Sequence, residues 1–227
     1  MRKLLFLIGR HKTEEKKMTL ESSKTLGGIG ALLMFIGLIP YINYFGILEI
    51  VGGILVLVAL HGFARIYKEN GIFDNALYGL IAGIVGVVLA VVIGIAIILP
   101  NIKDFLIKLY PSWNGDWSTI TSFSGMTPNT SNITFGDIIP FITAAIVILV
   151  TLWVFAIIAT ILFRRSLKQL SARTNVGLFS TTGLLFLIGA VLIIVFGLGL
   201  LLLWIATLIL AIAFFTMKPQ ETQAPTT

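Results

Sequence analysis

Charge is almost absent from long stretches of this chain, and each of those stretches is apolar for nearly the width of a bilayer. A transmembrane helix needs about 20 predominantly apolar residues to cross a hydrocarbon core ~30 Å thick. Runs at 26–42, 46–63, 76–99 and 138–163 approach or exceed that length. A fifth, 178–215, has no charged residue at all. At ~1.5 Å per residue it is almost twice as long as one crossing requires. Two short helices, 178–195 and 199–215, fit it better, joined by a turn near Phe196-Gly197-Leu198-Gly199. The expected fold class is therefore an all-α polytopic transmembrane helical bundle of six helices. Two tight helical hairpins flank a longer central pair.

Composition agrees. Of 227 residues, 57% are hydrophobic and 11% charged, against about 25% charged in soluble domains. A bilayer removes the need for polar cover. The formal charge of +6 comes from basic residues that flank apolar runs. No aromatic-interleaved patch accompanies them, so they point to lipid headgroups and to no nucleic acid. Cysteine is absent, which excludes disulfides and thiolate chemistry.

Local signals punctuate the runs. Pro40, Tyr41, Asn43 and Tyr44 mark the exit of the first crossing, and Arg65 and Lys68 close the second. Asn70-Gly71 reads as a turn, and Asp74 stands where an N-cap belongs. Pro100 is expected to end the third helix, Pro140 to lie in the first turn of the fourth, and Arg164-Arg165 to stop that one. The domain scheme is a basic segment 1–24, a transmembrane domain 25–217 with an external loop 100–137, and a polar tail 218–227. Within the loop, Ile102, Phe105, Leu106 and Leu109 share a helical face, so 101–110 reads as an interfacial helix ended by Pro111. Trp113 and Trp117 follow at headgroup level, and the remainder reads as irregular.

Orientation follows from the basic residues. Of 16 Lys and Arg, only Lys103 and Lys108 fall on one side of the scheme. The positive-inside rule then places both termini in the cytoplasm, in a multi-pass protein of the cell membrane. The first residues, Met1-Arg2-Lys3 followed by Leu4-Leu5-Phe6-Leu7-Ile8, imitate a signal peptide but are too short for its apolar core. They read as an interfacial anchor, as an incidental tail, or as sequence upstream of a start at Met18.

Several segments look alike to those of a known group. Leu20-Glu21-Ser22-Ser23-Lys24-Thr25-Leu26-Gly27-Gly28-Ile29-Gly30, Ile47-Leu48-Glu49-Ile50-Val51-Gly52 and Tyr67-Lys68-Glu69-Asn70-Gly71-Ile72-Phe73 are three of them. Asn75-Ala76-Leu77-Tyr78-Gly79 and Gly183-Leu184-Leu185-Phe186-Leu187-Ile188-Gly189-Ala190 complete the set. Over about residues 20–216 the chain resembles an archaeal and bacterial domain-of-unknown-function family of integral membrane proteins. The resemblance implies a fold and a location, and no chemistry.

Among candidate residues, Glu49 leads, because an acidic side chain within a span is costly and often functional. At helical spacing it shares a face with Gly52, Gly53 and Val56, and its carboxylate is expected to face other helices, hydrogen-bonded by groups such as Asn43 or Tyr44. The competing reading is structural: Glu49 lies in a first turn, where the helix dipole favours an anion. His61 is the second ionisable group at depth, about 120° around the helix and ~18 Å along it, so the two form no direct relay. Gly79, Gly83, Gly86, Ala90 and Gly94 make a small-residue stripe for close helix packing, within the bundle or against a second copy or another membrane protein. Asn129-Thr130-Ser131 and Asn132-Ile133-Thr134 are N-glycosylation sequons in the external loop.

With His11 and His61 the only histidines and no clustered carboxylates, no catalytic pair, metal site or cofactor site can be drawn. The sequence thus favours a structural or interaction component of the membrane without catalytic activity. The alternative is a small transporter or channel for an ion or small solute using Glu49. A loose likeness between the first and last hairpins hints at an internal repeat.

Overall fold

The computed structural model describes residues 19–39, 46–195 and 197–218. Six α-helices account for most of them: α1 (Leu20–Gly37), α2 (Ile47–Tyr67), α3 (Gly71–Leu109), α4 (Phe135–Thr174), α5 (Gly177–Leu192) and α6 (Leu198–Thr216). Two 3₁₀ segments, Trp117–Gly125 and Thr130–Asn132, lie between α3 and α4, and no strand occurs among the described residues. Four helices, α2, α3, α4 and α6, are long and apolar enough to cross a membrane. The other two fall short: α5 has 16 residues, and α1 opens on the polar turn Glu21-Ser22-Ser23-Lys24.

Start and stop chemistry explains the boundaries. Thr19 caps α1, its hydroxyl accepting from Ser22 N at 3.1 Å, so the helix begins ahead of the expected residue 26. Both α2 and α6 open at a glycine in the left-handed region, Gly46 (φ 68°) and Gly197 (φ 71°), a conformation that costs a side-chain-bearing residue ~1–2 kcal/mol. The turn foreseen near Gly197 is therefore present. Asp74 lies within the first turn of α3 and is not its cap.

The longest helices depart most from expectation. Pro100 does not end α3, which runs on for nine residues to Leu109. Proline removes one N–H and crowds the carbonyl a turn earlier. Here that carbonyl is Ala96 O; one position on, Asn101 donates its side-chain amide to Ile97 O at 2.7 Å. Of residues 101–110, expected as a separate interfacial helix, 101–109 are the last turns of α3, and the connection between α3 and α4 shrinks to 110–134. Likewise Arg164-Arg165 does not stop α4. Nothing in Ser166-Leu167-Lys168-Gln169-Leu170 opposes helix, and Leu167 and Leu170 are buried, so α4 continues to Thr174. Pro140 is the sixth residue of α4, one turn further in than expected. Met18 and the residues before it, Pro40 to Tyr44 with the helix exit expected there, and the tail beyond Lys218 lie outside the described residues.

Contacts divide the chain into two compact units, 1–78 with 160–227, and 79–159. In the first, α1 packs on α2, α5 on α6, and α1 on α6. Its core includes Leu60, Phe63, Leu167, Leu170, Phe179, Leu210 and Phe214, with Phe214 stacked on Phe63 (5.9 Å) and edge-on to Phe179 (5.0 Å). Each hairpin closes on a pair of facing glycines. A Cβ on Gly30 would lie 2.7 Å from Gly52 O, and one on Gly52 would lie 2.5 Å from Gly30 O. Gly189 and Gly199 repeat the arrangement in the second hairpin, backbone against backbone. The hinted repeat thus has one shared packing device, although the crossings sit at different distances from Gly46 and Gly197.

Two hydrogen bonds of long sequence separation tie α1 to α6. Lys24 Nζ donates to Met217 O at 2.8 Å, at the C-terminal end of α6. Trp204 Nε1 donates to Phe35 O at 3.0 Å, and the two rings stack 4.8 Å apart. Phe35 O lies in the last turn of α1 and Met217 O at the residue that caps α6, where no intrahelical donor remains. In the second unit, the side chain of Phe155 occupies the space over Gly86, and Ile148 lies 3.0 Å from where a Cβ on Gly94 would stand.

Candidate functional site

Glu49 occupies the first turn of α2, half-buried. A Cβ on Gly37 of α1 would lie 2.8 Å from Glu49 Cδ and 2.9 Å from Oε2. The carboxylate therefore faces a neighbouring helix across a glycine. The expected partners Asn43 and Tyr44 lie outside the described residues. Of the face assigned to Glu49, Gly52 and Val56 are buried against α1, whereas Gly53 has nothing within 4 Å. His61 stands on the exposed side of α2, with its ring edge-on to Phe73 at 4.7 Å, and the structure does not bring it to Glu49.

The small-residue stripe of α3 is largely a packing face within the chain. Gly79, Gly86, Ala90 and Gly94 are buried, and Phe155 and Ile148 of α4 fill the grooves at Gly86 and Gly94. Gly83 differs: it is half-buried, with no atom within 4 Å of a Cβ built there.

Two polar groupings escaped the sequence reading because their members are far apart in the chain. At the start of α3, Arg173 pairs with Glu69 at 2.5 Å, the Ser166 hydroxyl donates to Ile72 O, and Gln169 lies over Gly71. Glu69, Gln169, Ala172 and Arg173 line a cavity of about 320 Å³. At the other end of the long helices, Lys108 of α3 pairs with Asp137 of α4 at 2.6 Å. Asp137 also accepts from Thr134 N (2.9 Å) and Thr134 Oγ1 (2.8 Å). The Lys108 ammonium, then the two Thr134 donors, lower the Asp137 pKa to about 2. Asn101, Asp104, Phe105, Lys108, Asp137 and Pro140 are among the residues around a cleft of about 370 Å³ there.

The connection from 110 to 134 folds back on α3. Trp113 is buried and donates through Nε1 to Asp116 O and Thr119 Oγ1, both at 3.0 Å. Ser118 N donates to Asp116 Oδ1, which holds that carboxyl below its ordinary range. Asn129 N donates to Leu109 O at 2.7 Å. Both sequon asparagines, Asn129 and Asn132, are exposed. Among the described residues, no three His, Asp or Glu side chains gather as a metal-binding group.

Comparison with known families adds the decisive observation: residues 48–208 match the family described as "Protein of unknown function (DUF996)". The chain belongs to the DUF996 family. The DUF996 match covers α2 to the middle of α6 and includes Glu49, His61, the α3 stripe and both sequons. The run Ser22-Ser23-Lys24-Thr25-Leu26-Gly27-Gly28, the most specific part of the resemblance, precedes it. A similar protein is the uncharacterized protein MJ1644 of Methanocaldococcus jannaschii, 28% identical over 202 residues, which span 88% of this chain and 94% of that one. No solved structure matches.

Proposed function

We propose that this DUF996 protein is a structural or interaction component of the cell membrane without catalytic activity. In this reading all six helices cross the bilayer and both termini face the cytoplasm, so that α5 and α1 cross as partners of longer helices. The supporting observation is how polar groups at depth are used. Thr151 donates to Val147 O (2.8 Å), Thr182 to Leu178 O (2.8 Å) and Thr207 to Trp204 O (2.7 Å). Each hydroxyl is spent on its own helix, and the two cavities described above lie at helix ends. A carrier instead needs polar groups converging near mid-membrane, commonly at broken helices. The faces turned outward, such as Ile84, Val87, Val88 and Val91 on α3, are apolar and exposed, suited to lipid or to another helix.

The test is flux. Proteoliposomes holding the purified chain and a pH- or cation-sensitive dye should show no flux above protein-free vesicles under an imposed gradient. Flux that Glu49→Gln abolishes in a folded protein would replace this reading with a Glu49-dependent carrier. Membrane lipids are the partners this reading requires, and a second copy or another membrane protein would meet the open groove at Gly83.

A further inference from the structure

The two sequons are three residues apart and equivalent by motif, yet the fold treats them differently. A sequon works because the transferring enzyme binds the hydroxyl two residues after the asparagine while the asparagine amide nitrogen attacks the sugar. In Asn132-Ile133-Thr134 that hydroxyl is already committed: Thr134 Oγ1 donates to Asp137 Oδ2 at 2.8 Å, and Thr134 N donates to the same oxygen at 2.9 Å. Asp137 is held in turn by Lys108 at 2.6 Å, and its lowered pKa keeps it an anion, and so an acceptor, at neutral pH. Presenting Thr134 to an enzyme would break a charge-assisted bond and unwind the start of α4. In Asn129-Thr130-Ser131 the relation is reversed. Ser131 contributes only its backbone N–H, to Asn129 Oδ1 at 3.0 Å. Its exposed hydroxyl has no partner among the described residues, and the Asn129 Nδ2 side of the amide donates no bond there.

We infer that Asn129 is the N-glycan acceptor of the folded protein and that Asp137 masks Asn132. In the reaction, Asn129 Nδ2 forms a bond to the anomeric carbon of a polyprenyl-phosphate-linked oligosaccharide. The bond from that carbon to the carrier's phosphate oxygen breaks, the phosphate leaves with the electron pair, and the amide proton passes to a base on the transferase. In a cell this rests on the outward placement of the 110–134 connection proposed above. The test below does not, because a nanodisc exposes both faces.

The full chain in nanodiscs is incubated with a single-subunit oligosaccharyltransferase and its lipid-linked oligosaccharide, beside a peptide of residues 127–136, and both are mapped by mass spectrometry. The expected result is one glycan per folded chain, on Asn129, lost in Asn129→Gln and kept in Asn132→Gln, while the peptide also accepts at Asn132. Asp137→Ala, which frees the Thr134 hydroxyl, should add a second glycan at Asn132. Modification of Asn132 in the unaltered folded chain, or none while the peptide is modified, overturns the inference. Should Asp137→Ala fail to fold, the two asparagine variants still decide the matter.

Discussion

The carboxylate of Glu49 fills space that exists only because Gly37 has no side chain. Adding one methyl at Gly37 would set a carbon 2.8 Å from Glu49 Cδ, an overpacking that ordinarily costs about 1–3 kcal/mol. Gly37→Ala should therefore lower the thermal midpoint in detergent, and combining it with Glu49→Ala should recover part of the loss. Equal midpoints for the single and double variants would show that the two sites do not touch. Glu49→Gln, nearly isosteric, should keep the fold. Asp137 makes a second residue-scale prediction. A depressed pKa means its contribution is complete above the ordinary carboxylate value near 3.8 and is lost as pH falls toward about 2. Carboxyl NMR should place its midpoint near the bottom of that window, and Lys108→Met should move it upward. Neither arrangement was legible beforehand. Glu49 was visible as a lone acid in an apolar run, but the glycine opposite it lies on another helix. Lys108 and Asp137 were visible only as loop charges.

Among the elements, α3 and α4 show how weak a stop signal is when the helix beyond it has somewhere to go. A proline costs ~3 kcal/mol or more in a helix interior. After Pro100, however, Asn101 adds a side-chain donor to Ile97 O, next to the carbonyl the proline leaves open, and Phe105 lies edge-on to Phe141 at 5.1 Å. After Arg164-Arg165, Leu167 and Leu170 enter a core. Asn101→Leu removes this added donor, a loss of about 0.5–1.5 kcal/mol. Amide exchange around Ile97 to Asn101 should then rise relative to the rest of α3. Unchanged protection would mean that the bond contributes nothing to holding the helix through Pro100.

At the scale of the whole molecule, the basic residues still carry the orientation argument, and labelling can test it. The chain has no cysteine, so a cysteine at exposed Ser118 or exposed Ala172 gives a single address. An impermeant reagent applied to intact cells should label Ser118→Cys and leave Ala172→Cys unlabelled. Labelling at Ala172→Cys with none at Ser118→Cys would invert the topology. The α1–α6 seam is a separate property of the whole, joining residues 169 and 193 positions apart. Trp204→Phe keeps the ring and removes one donor, so the midpoint should fall modestly, by the equivalent of about 0.5–1.5 kcal/mol. Lys24→Met should do the same independently, since the two bonds lie at opposite ends of α1.

Patterns along the chain were enough for whatever depends on neighbours in sequence. Apolar length and missing charge required helices, because in lipid a backbone must satisfy its own hydrogen bonds. The turn at Gly197 and the two hairpins followed from local punctuation. Membership of the family was legible in the same runs, and the homology match agrees with it. Packing between helices set where they end, which glycines receive a neighbour, and which polar atoms are already spoken for. Gly86 meets Phe155 while Gly83 meets nothing, although both fit one stripe by spacing. Helical periodicity fixes which residues share a face, but only the placement of a second helix fixes which part of that face is covered. Thr134 and Ser131 differ in the same way. Each completes a sequon by composition, and only the arrival of α4, carrying Asp137, takes one hydroxyl out of use.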